Sequence, residues 1–152
     1  MSSHDPLLQA CTEELNGSKI TVKRDGRRAT FDNSDRATIK RIDLDCWIPS
    51  TNEVKADYIV SKPFVVDVIV ELKGKDIAHA AEQIVATLVK WKNVPSFSNK
   101  IGGLIVFTRC PMRTAEIGDI KKRLLRQHDL WIEIDKDQKT EYRFATFTGK
   151  RA

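Results

Sequence analysis

The sequence predicts an α/β or α+β fold on a mixed sheet, and three features carry that expectation. Asp25-Gly26 stands between two strand-like runs, a strong short-range signal of a hairpin and so of antiparallel pairing. Residues 101–108 form a nearly all-apolar run, which suits a strand covered on both faces, as parallel strands are. Two stretches with apolar residues at helical spacing, 77–92 and 114–128, flank that run.

Element by element, residues 5–15 read as a helix. Asp5 is a suitable N-cap, Pro6 suits the first turn, and Asn16-Gly17 is a stop. Residues 19–24 and 27–31 are the hairpin strands. A strand over 40–48 is closed by Pro49-Ser50-Thr51-Asn52, a loop composition. Residues 56–61 form a short strand, Lys62-Pro63 a turn, and 64–73 a strand rich in Val and Ile. Asp76 then caps a helix over 77–92, with Ile77, Ala80, Ala81, Ile84, Leu88 and Trp91 on its apolar stripe. Residues 93–99 are a loop before the 101–108 strand. A second amphipathic helix covers 114–128, and residues 130–135 and 142–147 end the sequence as a strand pair. No repeat, low-complexity segment or long linker divides residues 1–152, which read as one domain.

A length of 152 residues allows a core without disulfide or metal support. Hydrophobic content of 41% and charged content of 31% exclude a disordered or collagen-like chain. The net charge of +5 allows an anionic partner without requiring one. Cys11, Cys46 and Cys110 form no CxxC pair, and His4, His79 and His128 add no zinc spacing. The three cysteines read as ordinary reduced thiols of a cytoplasmic protein. No basic-then-apolar leader pattern opens the sequence, and no apolar run is long enough to span a membrane.

Chemistry concentrates on the strand over 64–73. Alternation puts Val66, Val68, Val70 and Leu72 on one face and Asp67, Ile69, Glu71 and Lys73 on the other. An acid-x-Lys triplet alone carries little information, since Glu53/Lys55, Asp119/Lys121 and Asp137/Lys139 repeat it. Only Glu71/Lys73 ends a buried-type strand, follows Asp57 on a preceding antiparallel strand, and precedes a capped helix carrying Gln83. Each residue also has a plainer reading. Glu71/Lys73 would serve as a surface pair, Asp57 as a strand-edge carboxylate, and Gln83 as a solvated helix residue. Asp67 reads as an outward-facing charge, and His79 as a solvated helix histidine.

These residues resemble the PD-(D/E)XK nuclease superfamily, which includes restriction endonucleases and Holliday-junction resolvases. The resemblance rests on Asp57 in Lys55-Ala56-Asp57, the Glu71-Leu72-Lys73 triplet fourteen residues on, and Gln83 ten residues after Lys73. Ala56 stands where the family name has proline, a position that varies within the family. The resemblance implies a restriction-endonuclease-like αβββαβ core, a mixed sheet flanked by helices, and Mg²⁺-dependent phosphodiester hydrolysis, with Mn²⁺ able to substitute. It implies Asp57, Glu71 and the Leu72 carbonyl as metal ligands, with Lys73 and Gln83 completing the catalytic set. Mg²⁺ takes hard oxygen ligands and keeps waters, so two carboxylates suffice, and Lys73 would orient the attacking water. A further acid often comes from the first helix of the family. Projecting residues 5–15 at helical pitch favours Glu14 over Glu13.

The basic residues cluster too. Lys19, Lys23, Arg24, Arg27, Arg28, Arg36, Lys40 and Arg41 face only Asp25, Asp32 and Asp35 in residues 18–41. Arg24, Arg27, Arg28, Lys40 and Arg41 are therefore candidate phosphate contacts, although a charged hairpin edge is as common a reading. Lys121, Lys122, Arg123 and Arg126 read as a solvent-facing helix surface. The expectation is a nuclease acting on DNA, with RNA possible. The competing reading is a non-catalytic relative that binds nucleic acid or a protein. Two-strand cleavage would favour a homodimer, with residues 130–147 a candidate contact.

Overall fold

The computed structural model describes residues 5–49, 53–72, 76–94, 98–108, 112–136 and 141–149. Along the chain run α1 (Pro6–Ala10), β1 (Thr12–Leu15), β2 (Lys19–Arg24), β3 (Arg27–Asp32), β4 (Ile39–Asp43) and α2 (Leu44–Trp47). They are followed by β5 (Tyr58–Lys62), β6 (Val66–Leu72), α3 (Ile77–Trp91), β7 (Ile101–Phe107), α4 (Thr114–His128) and β8 (Trp131–Lys136). The two-residue β9 (Tyr142–Arg143) and a 3₁₀ helix (Phe144–Thr148) come last.

Six strands make the main sheet, in the order β1-β4-β5-β6-β7-β8, and β2-β3-β9 form a smaller one. β1, β4, β5 and β6 pair antiparallel, and β7 and β8 then add parallel to β6. Each parallel step needs a crossover, supplied by α3 and then by α4. The fold is therefore α/β with a mixed sheet, and from β4 to β7 the order is β4-α2-β5-β6-α3-β7, three antiparallel strands and then a helical crossover to a parallel one.

Apolar residues on both faces of the sheet explain its layers. Ile42, Ile59, Ile69 and Ile105 pack with Ile84 and Leu88 of α3 and with Leu124 of α4. Val60, Val68, Val70, Leu104 and Val106 face the other way, onto Ile20, Val22 and Phe31 of the hairpin and onto Phe144 and Phe147. β6 is thus covered on both sides, and all seven of its residues are buried. The hairpin turns where Asp25 (φ 53) and Gly26 (φ 80) both take positive φ, as a two-residue type I′ turn requires.

Four expectations need correction. The first helix stops at Ala10, because residues 12–15 pair with β4 as a strand. The strand expected over 40–48 ends at Asp43, whose side chain accepts from the Asp45 and Cys46 N–H groups and starts α2. Residues 142–147 do not pair with β8. β9 lies parallel to β3, and the 3₁₀ helix that follows stacks Phe144 on Phe31 with ring centroids 5.0 Å apart. That helix crosses so close to β7 that a Cβ at Gly102 would lie 2.6 Å from the Phe147 Cβ, which only glycine allows. Lastly, Cys11 and Cys46 are joined as a disulfide, with Cα atoms 5.6 Å apart, rather than standing as free thiols. Pairing of β1 with β4 sets Cys11 beside Asp43, whose N–H donates to the Cys11 carbonyl at 3.2 Å. Cys110 lies outside the described residues. No described helix is long and apolar enough to cross a membrane.

Candidate active site

The hairpin from β5 to β6 brings Asp57 to the end of β6. Asp57 N–H donates to the Val70 carbonyl at 3.0 Å, and its Oδ2 accepts the Leu72 N–H at 2.9 Å. Glu71 sits in this same end row and is fully buried. Alternation puts it on the α3 side of β6, with Ile69 and Asp67. Asp57, Glu71 and the Leu72 carbonyl therefore share one end of two neighbouring strands. Lys73 lies outside the described residues.

α3 fixes the segment that leads into Asp57. Gln83 donates through Nε2 to the Lys55 carbonyl at 2.9 Å. Four residues along, the Thr87 hydroxyl accepts the Ala56 N–H at 2.8 Å and donates to the Gln83 carbonyl at 2.9 Å. Gln83 is buried, and its Oε1 has no hydrogen-bond partner among the described residues. The glutamine is thus a brace for residues 55–57, with one acceptor still open.

The hairpin arginine has a different position from the one its sequence suggests. Instead of facing solvent as a phosphate contact, Arg24 folds onto carboxylates at this end of the sheet. It bonds Asp43 at 3.1 Å, pairs with Asp45, and brings Nε to 3.9 Å from the Asp57 Oδ1. Its guanidinium lies 4.8 Å from the centre of the Tyr58 ring. Burial alone would lower the Arg24 pKa. The Asp43 hydrogen bond and the charges of Tyr58, Asp57 and Asp43 outweigh it and hold the group above its ordinary value. Lys55 adds a second cation, with Nζ 3.6 Å from the Asp45 Oδ1. Asp43, Asp45 and Lys55 escaped the sequence analysis. The Asp43-Leu44-Asp45 spacing, an N-cap followed by an acid in the first turn, was the available signal.

The other candidates are dispersed. Glu14 lies on β1 and not on a helix, and it pairs with Lys40 at 2.7 Å. Its register row runs through Lys40 and Ser61 to Asp67, well away from the Asp57 end. Glu13 pairs with Arg41 at 2.6 Å on the opposite face. Arg27 reaches the Thr108 hydroxyl at 3.5 Å, and Arg28 is exposed. Three of the five expected phosphate contacts, Arg24, Lys40 and Arg41, are therefore already engaged by carboxylates.

Asp67 is the reverse of the outward-facing charge expected. It is fully buried and accepts from the Ser61 hydroxyl at 2.5 Å, the Ser98 hydroxyl at 2.6 Å and the Trp91 indole at 2.9 Å. The cause is sheet order, because β6 is central and α3 covers the face that Asp67 shares.

As a metal site, the Asp57 end offers the right donor chemistry. Two carboxylates and a carbonyl are the hard oxygens that Mg²⁺ takes, alongside waters. Among the described residues, no group of three or more His, Cys, Asp or Glu is placed to hold a metal ion. No family model, curated protein or solved structure matches the chain.

Proposed function

We propose that the protein is a Mg²⁺-dependent nuclease of the PD-(D/E)XK type that hydrolyses phosphodiester bonds in DNA. The observation that carries this reading is the shared placement of Asp57 and Glu71. They end neighbouring antiparallel strands, immediately before the α3 crossover to a parallel strand. Three successive antiparallel strands, β4, β5 and β6, with the short α2 between the first two and the α3 crossover to β7 after them, support the restriction-endonuclease-like core that the sequence resemblance implies.

In this reading Asp57, Glu71 and the Leu72 carbonyl hold Mg²⁺, which when bound lowers the pKa of water and offsets charge on the phosphate. Gln83 keeps residues 55–57 in place through the Lys55 carbonyl, and its Oε1 is a buried acceptor with no hydrogen-bond partner among the described residues. Lys73, which follows Leu72 in the sequence, would orient the attacking water. Arg24, with Nε 3.9 Å from the Asp57 Oδ1, adds positive charge beside a carboxylate that would hold the ion. A cut through both strands would take two copies, arranged as a symmetric dimer.

The test is cleavage of plasmid, branched and single-stranded DNA, with RNA alongside, in Mg²⁺ or Mn²⁺. Glu71→Gln should lower the rate by roughly 10²-fold or more, the scale of losing one charge-stabilising contact in the transition state. Lys73→Ala should fall similarly. Equal rates in wild type and both variants would refute the site.

One observation favours a second reading, a non-catalytic relative that binds nucleic acid or protein. Arg24 already sits among Asp43, Asp45 and Asp57, where a metal ion would otherwise neutralise charge. Calorimetry separates the two. Mg²⁺ heat that vanishes in Asp57→Ala supports the nuclease, and no heat in wild type supports the binder.

A further inference from the structure

Two arginines face each other across the hairpin turn, Arg24 at the end of β2 and Arg27 at the start of β3. Directly opposed residues of an antiparallel pair point to the same face, and residues two apart along a strand share it. Arg24 therefore lies on the face of Ile20 and Val22, and Arg27 on the face of Ala29 and Phe31. That is the face packed on the main sheet. Lys23 and Arg28, the next opposed pair, point outward and are exposed.

Beyond the apolar core the inner pair diverges. Arg24 goes to the end of β5, where it meets Asp43, Asp45 and Asp57. Arg27 goes to the end of β7, where its Nη2 lies 3.5 Å from the hydroxyl of Thr108, two residues past the row of Leu72. β6 pairs with β5 on one side and β7 on the other. The end of β6, with Glu71 and Leu72, thus lies between the two strand ends that the arginines reach.

What answers the two charges differs. Carboxylates surround Arg24, whereas Arg27 has no ion pair among the described residues. Its two hydrogen bonds, to the Asp25 carbonyl at 3.4 Å and to Thr108, are long and go to neutral groups. Its Nε is buried and has no hydrogen-bond partner among the described residues. A guanidinium carries five donors in a planar fork that fits two oxygens of one phosphate. β6 and β7 are parallel, and open α/β sheets bind ligands outside the carboxyl ends of such strands.

We propose that Arg27 binds a phosphate group of a nucleic-acid strand at the carboxyl ends of β6 and β7. The choice of ligand rests on the nuclease reading, but the anion site stands on the hairpin geometry and needs no metal ion. Arg27 is then a substrate-binding residue that holds a strand beside the Asp57 and Glu71 end. Contact with a phosphate fixes position and carries no sequence preference.

The test uses the full-length protein in EDTA, so that no strand is cut. A labelled short single strand and a short duplex are titrated by fluorescence anisotropy, and the tighter of the two identifies the form held. Arg27→Gln should weaken binding about tenfold or more and make the salt slope shallower by about one. Arg27→Lys, which keeps the charge and loses the fork, should fall between the two and keep the wild-type slope. Arg28→Gln, on the outward face, should lose less than Arg27→Gln. In wild type, inorganic phosphate should shift the NMR signal of the Arg27 Nε–H group. Thermal unfolding of Arg27→Gln should stay near wild type, because the side chain makes only two long bonds. Unchanged affinity and slope in Arg27→Gln, an equal loss in Arg28→Gln, or displacement by a glutamate oligomer as effective as by unlabelled strand would each overturn the proposal. Strand binding through Arg27 without cleavage in Mg²⁺ supports this site and counts against the nuclease. Cleavage that Arg27→Gln leaves unaffected does the reverse.

Discussion

Strand β6 carries two buried carboxylates on one face, Asp67 near its start and Glu71 near its end, roughly 13 Å apart at about 3.3 Å per residue. Neutral donors from β5, α3 and the loop before β7 surround Asp67, and each is spoken for. The other end is built from charges. Asp57 beside Glu71 meets Arg24, which also holds Asp43 and Asp45, and Lys55 closes the group. Hydrogen bonds from neutral groups lock a carboxylate into one geometry. Ion pairs with partly exposed cations leave it open to exchange, because a different cation can take the same charge. The difference separates an acid held by neutral donors from acids that, in the proposed reading, would hold a metal ion.

The sharpest way to break this contrast is at Asp67. Asp67→Ala leaves two hydroxyls and an indole N–H buried without their acceptor. At about 1–3 kcal/mol for each unsatisfied group, urea unfolding should show a loss of about 3–5 kcal/mol. A loss below about 1 kcal/mol would mean that the buried acid contributes no more than a surface residue does.

Next in size is the Cys11–Cys46 disulfide, which belongs to the charged end. Cys46 lies in α2 beside Asp45, and the bridge spans 35 residues of sequence. By loop-closure entropy, a bridge closing a loop of that length restricts the unfolded chain and so stabilises the fold by about 3–4 kcal/mol. Cys46 is exposed, so a thiol reductant can reach it. Reduction should lower stability on that scale, and hydrogen exchange should show where. Amides of Asp45 and Cys46 should exchange faster, while Val68 and Ile69 keep their protection. Equal loss at both ends would erase the distinction between them.

Much of this arrangement was legible in the residues. Local signals located the hairpin at Asp25-Gly26, both long helices and the buried parallel strand at 101–107. The failures share one cause, which is pairing across long stretches of sequence. Residues 12–15 carry acids that suit a helix start, and only β4 turns them into a strand. Alternation put Asp67 and Glu71 on the correct common face. Knowing that this face is covered required the sheet order, which no short window contains. The Asp57–Glu71 proximity followed from antiparallel succession. The seat of Arg24 did not, because it depends on the hairpin folding back over the far face of the sheet. Lys122, Arg123 and Arg126 are exposed on α4, as the helical spacing suggests, whereas of the hairpin arginines Arg24 is engaged by carboxylates and Arg28 is exposed.

Glu14 gives the smallest effect and a clean way to place a residue on one side of the contrast. A helical projection assigns it to the Asp57 end, but its row runs to Asp67 through Lys40 and Ser61. The Lys40 hydrogen bond, with its charge, holds the Glu14 pKa below the ordinary glutamate value. A depressed carboxylate stabilises the fold above its unfolded pKa, and that contribution fades as pH falls through the folded value. Full exposure and salt screening keep it small, so the titration itself is the better measurement. By NMR, Lys40→Gln should return Glu14 to the ordinary range, whereas Arg24→Gln should leave it where it is. If the reverse holds, Glu14 is electrostatically coupled to the Asp57 group, and the acid that helical projection assigned to the site belongs there after all.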